Sequence, residues 1–230
     1  MGRVELSVLI VLLVPKLQLG NGIVTKALLL IKKTKEQWSR KLGLGNERDA
    51  GGIMRSRYKI MENRNLYFIT STIIEWIPVF TKREYCDIIV QSLSYCRQNK
   101  GLRLFAYVIM PDHVHAVASS DNLSAIMKDF KSYTAKEILR TAEADAKKWL
   151  LNQFVYYKKL YKQDSEHQVW QEGFHPQVIE KDDILRQKVE YIHNNPVRRG
   201  LVEVAEHWIY SSARNYLYSK GCIEIDQIEI

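Results

Sequence analysis

The chain has 230 residues, 46% of them hydrophobic, and a formal net charge of +8, which is enough chain for one ordinary globular core. Its cysteines, Cys86, Cys96 and Cys222, form no Cys-x-x-Cys pair, so neither a disulfide scaffold nor a cysteine zinc site is expected, and reduced thiols in the cytoplasm are. The positive charge is local: residues 1–60 hold 12 Lys or Arg against 4 Asp or Glu, whereas residues 61–230 hold 22 of each, so overall basicity does not argue for a nucleic-acid surface on the main body.

The first 60 residues read as foreign to the rest. The apolar run Val4 to Val14 is too short to span a bilayer and is followed by no clean cleavage site, so export is not expected. An internal echo follows, in which Pro15-Lys16-Leu17-Gln18-Leu19-Gly20-Asn21 recurs as Arg40-Lys41-Leu42-Gly43-Leu44-Gly45-Asn46. Two copies are too few for a solenoid. Residues 1–60 are therefore expected to be an accessory or poorly structured extension. One origin for it is translated upstream repeat, with the native start at Met54 or Met61. The main body is expected over 61–220, and a tail over 221–230.

In that body, a strand is predicted from Leu66 to Trp76 and a helix from Thr81 to Asn99, with Thr81 as its N-cap. Leu102 to Met110 is an apolar, aromatic-rich run. Pro111-Asp112 interrupts it, and His113-Val114-His115 opens the strand that follows. A helix is predicted from Leu123 to about Ala146. Aromatics then interleave with lysines from Trp149 to Tyr161, where base stacking on Tyr156, Tyr157 or Tyr161 competes with ordinary helical packing. An extended segment near Trp170 to Ile179 precedes a helix from Asp182 that carries Tyr191 and is stopped by Pro196 and Gly200. Glu203 to Tyr218 reads as a C-terminal helix or irregular cover. Strand, helix, strand, strand, helix, strand is the α+β, ferredoxin-like split βαβ pattern with a mainly antiparallel sheet.

Two segments carry chemistry. Strand side chains alternate faces, so His113 and His115 point the same way and can share one metal ion, with a hydrogen-bonded core pair as the alternative. Tyr191 and Asn195, four apart on a helix, share a face. A phenol and an amide oxygen there could dock over the histidines, or they could be a core tyrosine and a helix stop.

Four blocks together are similar to the REP-associated tyrosine transposases, single-tyrosine members of the HUH superfamily. They are Tyr67-Phe68-Ile69-Thr70, Ala106 through His115, Trp170-Gln171-Glu172-Gly173-Phe174, and Tyr191-Ile192-His193-Asn194-Asn195-Pro196-Val197 followed by Gly200. They span about two thirds of the chain in family order. The resemblance implies His113, His115 and Asn195 as ligands of Mg2+ or Mn2+. It implies Tyr191 as the nucleophile that forms a 5′-phosphotyrosine, and single-stranded DNA with a hairpin as substrate. Where some members carry glutamine as third ligand, this chain has the shorter Asn195. Tyr133, beside Lys131 and Lys136 on the long helix, is the alternative nucleophile.

Arg198, Arg199, Lys131 and Lys136 are the candidate DNA contacts, with a solvated helix face as the alternative for each. His167, His175, His193 and His207 are expected to be structural. A monomer or homodimer in the cytoplasm, associated with the nucleoid and without a membrane partner, is expected. Two other readings remain open: a hairpin-binding protein that no longer cuts, and a metal-dependent phosphoesterase that uses water.

Overall fold

The computed structural model describes residues 66–227 save 160, 162–164 and 174–175; the expectations for the N-terminal extension, Phe174 and His175 fall outside the described residues. β1 (Leu66–Thr72) leads to α1 (Arg83–Lys100), β2 (Arg103–Ile109), β3 (His113–Ser119), α2 (Leu123–Ala144), α3 (Lys148–Tyr156), β4 (Gln177–Ile179), α4 (Asp182–Arg198) and α5 (Ala213–Tyr218). The sheet order is β2-β3-β1-β4, and every neighbouring pair is antiparallel. This is the split βαβ arrangement that the element order predicts.

Period-two alternation gives the sheet two different faces. Tyr67 and Ile69 of β1, Tyr107 and Ile109 of β2, and Val114, Ala116 and Ala118 of β3 join one core with Ile89 and Leu93 of α1 and Ile126, Met127 and Phe130 of α2. Phe68, Val108, Val117 and Ile179 join a second, smaller core with Leu185, Val189 and Ile192 of α4. A β-bulge between Leu104 and Ala106 shifts the β2 register, so consecutive Phe105 and Ala106 both enter the second core. The α4 helix therefore covers the face opposite α1 and α2.

Several boundaries differ from the sequence-based expectation; the extended segment expected from Trp170 is a strand only over Gln177–Ile179, with Trp170 in an isolated bridge to Ile73. The first strand ends at Thr72 rather than Trp76, because Glu75 and Trp76 turn into the left-handed region with φ of 50° and 57°. Thr81 does not cap α1: the helix starts at Arg83 after Lys82, with no side-chain cap bond. Phe80 is buried and its N–H donates to the Pro111 carbonyl, while Thr81 N–H donates to Val79 O, so this stretch is a tight turn and the helix begins after it. Pro196 does not stop α4, which runs on to Arg198. In the last turn a proline forfeits only one helical hydrogen bond. The stop comes at Gly200, whose φ of 68° suits a residue without Cβ.

The C-terminal segment lies along the free edge of β2. Ile109 N–H donates to Tyr210 O, Ser212 N–H to Tyr107 O, and Asp226 N–H to Leu104 O. Ile223, expected in a tail, is fully buried.

Candidate active site

β3 begins directly after a tight turn in which Met110 N–H donates to His113 O. His113 and His115 project from the same face of that strand while Val114 enters the opposite core. Their ring centroids lie 4.5 Å apart at an interplanar angle of 70°. Both side chains are buried, so the pair lies beneath other groups rather than on open surface.

Each imidazole has one nitrogen already committed. His113 Nδ1 is 2.6 Å from Asp112 Oδ1, and His115 Nδ1 is 2.8 Å from Thr70 Oγ1, the residue facing it across the β1–β3 ladder. Such contacts fix ring orientation and leave Nε2 as the remaining donor on each ring. Burial, followed by the charges of His113, Arg199 and Lys188, holds His115 well below the ordinary histidine range, so this imidazole is neutral, the form a metal requires.

Tyr191 comes to the pair from α4. Its ring centroid is 5.3 Å from that of His115 and 6.0 Å from that of Phe68; Phe68 in turn stacks on His115 at 5.2 Å. Leu185, Val189 and Ile192 bury one stripe of α4 in the second core, and this docking carries Tyr191 to the histidine face. Asn195, one turn further on, is buried. Among the described residues no three His, Cys, Asp or Glu form a metal cluster. The two imidazoles that share the β3 face are of the donor type that could hold a divalent cation with open positions.

Cations border the tyrosine. The Arg198 guanidinium lies 5.7 Å from the Tyr191 ring centroid. Arg199 reaches Asp112 Oδ2 at 3.5 Å, and Lys188 Nζ sits 4.6 Å over the Phe68 ring while donating to Gln177 Oε1. Burial lowers the Lys188 pKa from its ordinary value.

The remaining sequence candidates lie elsewhere. Tyr133 and Lys136 are exposed on α2, the helix whose buried stripe packs on the other sheet face. Lys131, on the same helix, donates to the carbonyls of Gln171 and Gly173. His193 bonds Ser212 Oγ at 2.9 Å, and burial lowers its pKa to about 4, consistent with a structural role. Sequence reasoning missed Thr70, Phe68, Asp112, Lys188 and Trp76, whose indole meets the His113 ring at 5.8 Å. Thr70, Phe68 and Asp112 stood inside the blocks already singled out. Lys188 stands one helical turn before Tyr191, a spacing that could have drawn attention to it.

Comparisons with known proteins bear on the family and the fold. Residues 77–165 match the family described as Transposase IS200 like, a stretch that contains both histidines and ends before Tyr191. A Haemophilus influenzae protein described as a REP-associated tyrosine transposase is 28% identical over 154 residues, 64% of this chain and 78% of that protein. The structure of a REP-associated tyrosine transposase bound to a REP hairpin superposes with a TM-score of 0.50 at 17% identity, over 77% of this chain and 94% of the other, which supports the fold. Among the described residues no helix is long and apolar enough to cross a membrane. Fold, family match and relative point the same way: the chain is similar to the IS200-like transposases and, among curated proteins, to a REP-associated tyrosine transposase.

Proposed function

We propose that this protein cuts and rejoins single-stranded, hairpin-bearing DNA, with Tyr191 as nucleophile and His113, His115 and Asn195 as ligands of a divalent cation, Mg2+ or Mn2+. The observation that carries this reading is the contact of the Tyr191 ring with His115 on the one sheet face where the two imidazoles meet. When bound, the cation would polarise the scissile phosphate and offset its charge. His113 and His115 offer Nε2, since Asp112 and Thr70 occupy the other nitrogens.

A phenol is a weak nucleophile near neutrality, so position matters more than intrinsic reactivity. α4 supplies position by seating Tyr191 beside the histidines, and Arg198 and Arg199 put positive charge on the rim where a phosphate backbone would enter. Attack by Tyr191 Oη forms a phosphotyrosine on the 5′ side and frees a 3′-hydroxyl. The phosphoester link keeps the bond energy, so rejoining needs no nucleotide cofactor. An unpaired strand suits a site recessed beneath a helix, because a duplex cannot bring its backbone to buried rings.

The test uses a labelled DNA hairpin with a randomised single-stranded flank, incubated with Mn2+ and wild type, Tyr191→Phe or Tyr133→Phe protein. A covalent protein–DNA adduct is expected with wild type and Tyr133→Phe and is expected to vanish with Tyr191→Phe. His113→Ala or His115→Ala should abolish cutting and leave hairpin binding within a few-fold of wild type. Strand scission without an adduct would favour a phosphoesterase that uses water. Binding without scission would favour a hairpin-binding protein.

A further inference from the structure

The first strand does not end in an ordinary loop. Ile73 and Ile74 are tied down by hydrogen bonds from their N–H groups to Asp112 O at 2.9 Å and Val169 O at 2.8 Å. The chain then turns through two successive left-handed residues, Glu75 and Trp76, neither of which is glycine. Left-handed backbone is costly for such residues and persists where the surroundings enforce it, a pattern concentrated at functional sites. Buried Ile74 and Ile77 flank the turn. Its outcome is that Trp76, partly exposed, is held T-shaped against the His113 ring with centroids 5.8 Å apart. Among the described residues its indole N–H makes no hydrogen bond.

The rings at the site therefore follow one another in order. Trp76 meets His113 at 5.8 Å, His113 meets His115 at 4.5 Å, and His115 meets Tyr191 at 5.3 Å. The sheet register agrees: Thr70 faces His115 and Thr72 faces His113, so the chain beyond Thr72 carries Trp76 past the His113 end of the pair. Tyr191 and Trp76 thus approach the two histidines from opposite ends.

We infer that Trp76 is a stacking platform for one unpaired nucleobase, that of the nucleotide on the 5′ side of the cut, whose 3′-oxygen leaves. The inference rests on the proposed strand cleavage for the identity of that nucleotide. In phosphoryl transfer the attacking and leaving oxygens lie roughly in line across phosphorus. As the Tyr191 Oη–P bond forms, the P–O3′ bond breaks; the phenol proton passes to solvent or a nearby base, and the leaving O3′ takes up a proton. With Tyr191 at one end of the ring row, the leaving sugar lies toward the other end, where the indole is available. Trp presents the largest π-face among side chains, and base–aromatic stacking tolerates any base. The site would thereby hold the free 3′ end for rejoining.

The experiment is an abasic scan across the single-stranded flank of the DNA hairpin, read in two ways. Equilibrium binding is measured with Tyr191→Phe protein, which leaves the strand intact, with and without Trp76→Ala. Adduct formation is measured with wild type, Trp76→Ala and Trp76→Phe, and the cut is mapped by sequencing. One abasic position is expected to weaken binding about 5- to 150-fold, the range of one base–aromatic stack, and to do so only when Trp76 is present. That position should be the nucleotide immediately 5′ of the cut, and Trp76→Phe should keep most of the effect. Equal sensitivity of the Trp76→Ala protein at every position would overturn the inference, as would a Trp76-dependent position on the 3′ side of the cut. The binding arm reads the stack even if no adduct forms, so failure of the cleavage reading is distinguishable from failure of this one.

Discussion

At the residue scale, the two histidines are held differently. His115 is oriented by a neutral hydroxyl from the neighbouring strand, whereas His113 is oriented by the carboxylate of the residue before it, and Arg199 shares that carboxylate. A carboxylate behind an imidazole fixes the tautomer and raises the basicity of the opposite nitrogen, and loss of such a partner typically weakens metal binding 10- to 100-fold. Asp112→Asn keeps the side-chain shape and removes the charge. We expect it to weaken Mn2+ binding by about 10- to 100-fold, measured by titration with the metal alone, with little change in thermal stability. Unchanged affinity would mean that Asp112 serves only the turn. The histidine pair and Tyr191 were legible in the sequence because strand and helix periodicities put each pair on one side of its element. Asp112, Thr70 and Trp76 were not, since their roles depend on a turn, a cross-strand register and a left-handed backbone that no local pattern encodes.

At the element scale, α4 matters because it ties three parts of the molecule together. Its apolar stripe packs on the second core, Tyr191 reaches His115, and His193 on another side reaches Ser212. Ser212 Oγ also accepts from the Tyr107 N–H at 2.9 Å and is itself fully buried. Ser212→Ala would thus strand one backbone donor on β2 and one imidazole nitrogen on α4. Orphaned buried polar groups cost about 1–3 kcal/mol each, so a loss of roughly 2–6 kcal/mol in urea unfolding is expected for the two, with an unchanged denaturant slope. A loss near zero would show that water replaces the hydroxyl. The helix itself was visible from its spacing, and of the two stops expected, Pro196 and Gly200, only Gly200 holds. Pro196 looks like a terminator, yet in the final turn it costs one bond, and Gly200 with its positive φ sets the true boundary.

At the scale of the whole molecule, the order β2-β3-β1-β4 leaves β2 as an edge, and β2 is poorly suited to exposure, with six of its seven residues buried. Unpaired strand edges are templates for aggregation. The chain closes this one with its last segment: residues 210–212 pair with Tyr107 and Ile109, and Asp226 clamps the start of the strand. One Asp226 oxygen accepts from the Leu104 N–H at 2.8 Å and from Arg97 of α1 at 3.3 Å, joining the edge to the helix behind it. The split βαβ order was readable from the alternation of periodicities, whereas this cover was not, because its hydrogen bonds come from irregular chain more than 100 residues away in sequence. Asp226→Ala should free the Leu104 amide and leave Arg97 without its closest carboxylate. We expect faster deuterium exchange confined to the first residues of β2, a loss on the order of 1–3 kcal/mol, and more light scattering on heating. Tyr191-dependent adduct formation should persist below the unfolding temperature, because Leu104 pairs with Ala118 at the far end of β3 from His113 and His115. Loss of adduct at full foldedness would instead mean that the edge and the histidine face are mechanically coupled through the β2 bulge.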